Sequence, residues 1–196
     1  MKFKSIMKKI MLLVFVSLLS TSIYSQKKKA ATAVGGFAKI DNLVAEVKKG
    51  NFQVTINEKG KEIDAMIVKA TDATFAPTNT KLSSFNVKDV KLYLLTWTEK
   101  VTTKSDLKTE EITTIYTIIY EIKAKKQVFS NTQTTTNITE KVFLDKLKNA
   151  SETQQRIRRE GFEFTLNPDG TVTQKSKKQE NKWMYDAAKM EYVTKK

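Results

Sequence analysis

The chain has 196 residues and a formal net charge of +14, with 35 Lys and Arg against 21 Asp and Glu. It contains neither Cys nor His. This removes disulfides, thiolate nucleophiles and imidazole bases, together with the zinc and iron–sulfur sites built on those side chains. What remains for chemistry is carboxylates, Ser–Lys pairs, Tyr and Lys; no metal or cofactor is expected.

Lys2, Lys4, Lys8 and Lys9 precede an apolar run from Ile10 to Leu19, and Ser20, Thr21, Ser22 and Ser25 follow it. A basic start, a short apolar core and small residues before a cleavage point are the layout of a secretory signal peptide. An apolar core of about ten residues falls short of the ~20 a spanning helix needs. The sequence therefore predicts a signal peptide over 1–25, cut between Ser25 and Gln26, a flexible leader over 26–36 and one domain over 37–196. The destination is the periplasm, the outer membrane surface or the medium, with no transmembrane span in the mature chain.

Nearly all the positive charge is Lys; Arg occurs only at Arg156, Arg158 and Arg159. Bidentate recognition of phosphate or guanine favours Arg. A Lys surplus speaks against specific nucleic-acid binding and for diffuse attraction to an anionic envelope surface, with an envelope protein as the other candidate partner.

Within 37–49, Ile40, Leu43, Val44 and Val47 recur at helical spacing and Gly50 follows two lysines, as a helix C-terminus would have it. A helix is expected there, with a strand as the runner-up. Phe52, Val54 and Ile56 alternate with polar residues before a turn at Asn57–Lys61, so 51–70 reads as a hairpin. Residues 71–87 show no clean period and hold Pro77; they are either a long functional loop or the site of an unrecognised strand.

Three strong β segments follow. One places Tyr93, Leu95, Trp97 and Val101 on a single face. The next places Ile112, Tyr116, Ile118, Tyr120 and Ile122 on one face and Ile115 and Ile119 on the other. A strand apolar on both faces is central and covered on both sides. The third, from Gln127, is Thr-rich and polar. Short connections make the three an antiparallel meander.

From Thr139 the period changes. Phe143, Leu147, Ala150, Gln154 and Ile157 predict a long helix ending at Gly161, with a break near Ser151 allowed by a capping box. Asn167-Pro168-Asp169-Gly170 is the turn of a second hairpin. The tail 181–194 reads as a last hairpin, with a helix as the alternative. The expected fold is thus α+β, an antiparallel meander packed by one long helix and a shorter N-terminal helix; a half-open β-barrel is the other architecture.

Candidate sites are few. The carboxylate pairs Glu62/Asp64 and Glu110/Glu111 could hydrolyse a glycoside only if a cleft set them at the right separation. Ser105 and Lys108 have Ser-x-x-Lys spacing but sit in a turn without partner motifs. Asn167, Asp169 and Thr171 begin like a calcium loop, yet the glycine is misplaced and no closing Glu follows. Thr132, Thr134 and Thr136 share a strand face, and ordinary β propensity explains them. Tyr93, Trp97, Tyr116 and Tyr120 could line a concave sheet face as a ligand-binding site, or else form the core. The function expected is an exported, non-enzymatic module that binds a ligand or protein. A carboxylate hydrolase of an envelope polymer and a structural subunit of an envelope assembly are the alternatives.

Overall fold

The computed structural model describes residues 36–194; the predicted signal peptide and all of the leader but Gly36 lie outside the described residues. Every regular element in this range is a strand. The first sheet comprises β1 (Ala38–Ile40), β2 (Leu43–Lys48), β3 (Asn51–Glu58) and β4 (Lys61–Ala70). The central sheet holds β5 (Thr78–Val87), β6 (Val90–Lys104), β7 (Lys108–Glu121), β8 (Lys126–Phe143) and β9 (Ser151–Gly161). The third sheet holds β10 (Glu163–Leu166), β11 (Val172–Lys175), β12 (Glu180–Asp186) and β13 (Glu191–Thr194). Each strand pairs antiparallel with its chain neighbour inside its sheet, so the meander expected for the middle of the chain runs through all three sheets.

The α+β expectation is overturned: neither helix exists, and three open sheets replace the alternative barrel. Near 37–49 the runner-up strand prevails. Asp41 takes a left-handed φ of 50° and reverses the chain, after which Leu43 and Ala45 alternate inward and are fully buried. Alternation at period two uses Leu43 and Ala45 more fully than the 3.6-residue stripe would use Leu43 and Val44. Gly50, with Lys49 also at positive φ, closes the β2–β3 hairpin instead of capping a helix.

The long helix fails for a different reason. β8 runs on to Phe143, and Asp145 organises a turn by accepting the backbone N–H groups of Asn149 and Ala150, both at 3.0 Å. The chain then returns as β9, paired with β8 over its whole length. Every residue of β9 is exposed, so no buried face dictated its period, and the open edge of β8 did. Of residues 71–87, 78–87 are a strand, and only 71–77, with Pro77, form the link between sheets.

The hairpin readings of 51–70, of the Asn167–Gly170 turn and of the tail agree with β3–β4, β10–β11 and β12–β13. β7 is central, and its C-terminal part is covered on both faces, at Ile119 and Tyr120; Ile115, on the second stripe, is exposed. Tyr120, with Tyr93, Leu95 and Trp97 of β6, packs against Leu43, Phe52, Val54 and Met66 of the first sheet. Ile119, Leu92, Val128 and Phe129 pack against Val172, Tyr185 and Tyr192 of the third sheet. Each such aliphatic side chain, fully buried, contributes about 1.5–3 kcal/mol. Both cores lie within the compact unit Gly35–Lys196.

Gly161 makes the corner from the central to the third sheet. Its φ is +78°, and a Cβ there would stand 2.1 Å from the Thr132 carbonyl oxygen, so only glycine fits. Beyond the corner, buried Asn131 donates to the Phe162 carbonyl at 2.9 Å and accepts from Gln174 Nε2 at 2.7 Å. Gln174 in turn accepts the Trp183 indole N–H at 2.8 Å. This buried chain of side chains ties the third sheet to β8 with its polar groups satisfied.

Candidate functional site

Neither core reaches past Trp97 on β6, Tyr116 on β7 or Phe129 on β8. The strands do run past these points, and with β9 they form a four-stranded arm on the central sheet. The two ends of the core and this arm define the places where the surface can do something specific.

The four aromatic candidates are brought together. Tyr93 pairs with Tyr120 and Trp97 with Tyr116 across β6 and β7. The Trp97 and Tyr116 rings stack at 4.8 Å with 13° between planes, and Phe52 meets Trp97 edge-on at 5.2 Å. Tyr93, Trp97 and Tyr120 are buried under the first sheet; only Tyr116 keeps part of its ring accessible. Burial pushes the Tyr120 phenol up to about 12.

At the Tyr116 end, Lys69 bonds both Glu99 oxygens at 3.0 and 3.1 Å and stands 5.1 Å from the Phe75 ring centre and 5.7 Å from that of Tyr116. Glu99 also accepts the Trp97 indole N–H at 2.8 Å. A cavity of about 280 Å³ opens here beside Thr71, Asp72 and Thr74. Lys69 and Glu99 satisfy each other here and Asp72 bonds Thr74, which leaves Lys100 as the remaining charge on its lining. At the other end, Asp41 accepts from Lys91 at 2.6 Å and from the Tyr93 hydroxyl at 3.0 Å; these bonds hold its carboxyl below the usual range.

Three of the four paired carboxylates are engaged by lysine: Glu62 with Lys48, Asp64 with Lys125, and Glu110 with Lys108. Among the described residues no group of three or more acids, Cys or His is placed to hold a metal ion. Ser105 and Lys108 close the β6–β7 turn through a backbone bond of 2.8 Å. The Thr row is divided: Thr132 is exposed, Thr134 bonds Thr114 at 3.2 Å, and Thr136 is buried.

A second open feature was not among the sequence candidates. A cleft of about 480 Å³ lies between β9 and the β11–β12 turn. Ile157, Arg159 and Glu160 of β9 line one side, and Lys175, Ser176, Lys177 and Lys178 with Glu163 line the other. Arg159, Lys175, Lys177 and Lys178 enter no ion pair among the described residues. The sequence signals were the single cluster of arginines and the Ser-Lys-Lys turn, which lie too far apart in the chain to be joined without the fold.

Compared with models of known protein families, with curated proteins and with solved structures, the chain matches none. Among the described residues no helix is long and apolar enough to cross a membrane.

Proposed function

We propose that this protein is an exported, non-enzymatic binding module whose ligand is anionic and is taken in the cleft between β9 and the β11–β12 turn. The observation that carries the reading is the set of four cations there, Arg159, Lys175, Lys177 and Lys178, which enter no ion pair among the described residues. Unpaired cations on facing walls raise the local concentration of anions and hold them at short range. Glu160 and Glu163 on the same walls favour a ligand with spaced anionic groups over one dense charge. An acidic envelope polysaccharide has that character, and the basic start and short apolar run of 1–25 support export.

The test is titration calorimetry with dextran sulfate and with neutral dextran. Dextran sulfate is expected to bind with an affinity that falls as salt rises, and neutral dextran not to bind. The triple variant Lys175→Ala/Lys177→Ala/Lys178→Ala is expected to weaken binding about tenfold or more. Equal binding by the variant sinks the proposal. The structural-subunit reading has one observation in its favour: β9 is a free edge strand, exposed along its whole length.

A further inference from the structure

The far end of the arm carries a second, independent feature. The β6–β7 turn at 105–107 and the β8–β9 turn at 144–150 lie at the same end of the arm: the Lys141 N–H, three residues before the second turn on β8, donates to the Leu107 carbonyl at 2.8 Å. Leu107, Leu144 and Leu147 project from these turns and are 44%, 61% and 80% exposed. Their exposure is fixed by the backbone. The Leu144 N–H bonds the Ala150 carbonyl at 3.0 Å, and Asp145 ties the turn with two further bonds, so the leucines have no core to fold back into. The same end of the arm carries Lys104, Lys141, Lys146 and Lys148, with Asp106, Asp145 and Glu152 as its acids; Lys108 is paired with Glu110 and Glu140 with Arg156. The Lys141 and Lys148 ammonium groups lie 5.7 and 5.4 Å from the ring centre of half-buried Phe143.

We infer that this end of the arm docks on an anionic lipid bilayer, with the three leucines entering the headgroup–acyl boundary and the lysines resting on the headgroups. Exposed leucines on turns that also carry Lys104, Lys141, Lys146 and Lys148, with fewer acids, suit a soft, apolar-centred, negatively charged surface. Lysine stems lie along the apolar layer while the ammonium groups stay in the polar one. Each basic residue near such a surface adds attraction, and apolar side chains add insertion; neither suffices alone for stable docking. A second copy is the weaker occupant, because the same lysines would then face one another.

The sequence contains no Cys, so a single introduced thiol is a clean reporter. The test uses residues 26–196, which contain both cores complete, with far-UV circular dichroism as the fold control. Leu147→Cys and Lys61→Cys are each labelled with an environment-sensitive fluorophore; Lys61 is the exposed first residue of β4, in the first sheet. Vesicles of three parts phosphatidylcholine to one part phosphatidylglycerol are expected to blue-shift and brighten the label at position 147 and leave that at 61 unchanged. Pure phosphatidylcholine should give a much smaller response, and added salt should reduce the anionic one.

In sedimentation with the same vesicles, Leu144→Ser/Leu147→Ser is expected to lower the bound fraction about tenfold or more at limiting lipid. An unmoved label at 147, undiminished sedimentation of the double variant, or self-association through the arm in place of lipid binding would each overturn the inference. The cleft proposal is read out with a soluble polymer and different residues, so either can fail while the other stands.

Discussion

Removing the Trp97 ring gives a direct measure of how the aromatic set is used. Trp97 is 2% exposed, stacked on Tyr116, edge-on to Phe52, and bonded through its indole N–H to Glu99. Trp97→Ala deletes a ring with almost all of its area buried, and such truncations cost about 3–5 kcal/mol. The stacked pair adds about 0.5–1.5 kcal/mol of geometry-specific energy to that area term. Glu99 is not orphaned by the change, because Lys69 still bonds both of its oxygens. The expected loss is therefore about 5 kcal/mol, a large share of the roughly 5–15 kcal/mol that keeps a domain folded. Trp97→Phe keeps a ring in place and loses one hydrogen bond and some volume, for about 1–2 kcal/mol. The assay is urea unfolding followed by the fluorescence of Trp183, in the third sheet, and by far-UV circular dichroism. A loss below about 1 kcal/mol for Trp97→Ala would refute the packing argument. Such a result would mean that the first sheet does not cover this face and that the ring is available to a ligand.

Two further predictions concern the third sheet and the tyrosines. Asn131→Ala leaves the Phe162 carbonyl and the Gln174 amide without their partner and is expected to cost about 2–3 kcal/mol. Hydrogen exchange should then quicken in β10–β13 and stay unchanged in β1–β4; uniform acceleration of both would show that the Asn131 link is not local. In alkali, stability should fall as pH rises above about 10. The unfolded chain loses its tyrosine protons there, while burial keeps Tyr120 protonated to about 12 and raises Tyr192 as well. The Tyr120 contribution to that decline is about 3 kcal/mol over the window from 10 to 12. It is read from tyrosinate absorbance against circular dichroism, and Tyr120→Phe should unfold at higher pH; an unchanged midpoint would contradict the burial account.

Much of the β architecture was legible because alternation and turn chemistry are local. Tyr93, Leu95 and Trp97 on one stripe, and Ile119 opposite Tyr120, gave the faces of β6 and β7 and the double covering of the C-terminal part of β7 directly. Asn167-Pro168-Asp169-Gly170 gave a turn whose glycine does adopt a left-handed φ of 79°. The covering layers were not legible. Helical spacing at Ile40, Leu43 and Val47 competes with alternation at Leu43 and Ala45, and only the Asp41 reversal and the pairing with β3 decide between them. Phe143, Leu147 and Ile157 kept helical spacing by coincidence of two strands and a turn.

By itself, then, the sequence determined the excluded chemistry, the central meander and its two apolar faces, since these follow from residue types and a period of two. It also carried the export signal, as an expectation. The tertiary structure alone decided that sheets, not helices, cover both faces, that the arm runs beyond either core, and that Arg159 meets Lys175, Lys177 and Lys178 across a cleft. Each of these depends on pairing between distant strands. The hydrogen-bonding edge of one strand fixes the conformation of the next whatever the local spacing of its apolar residues.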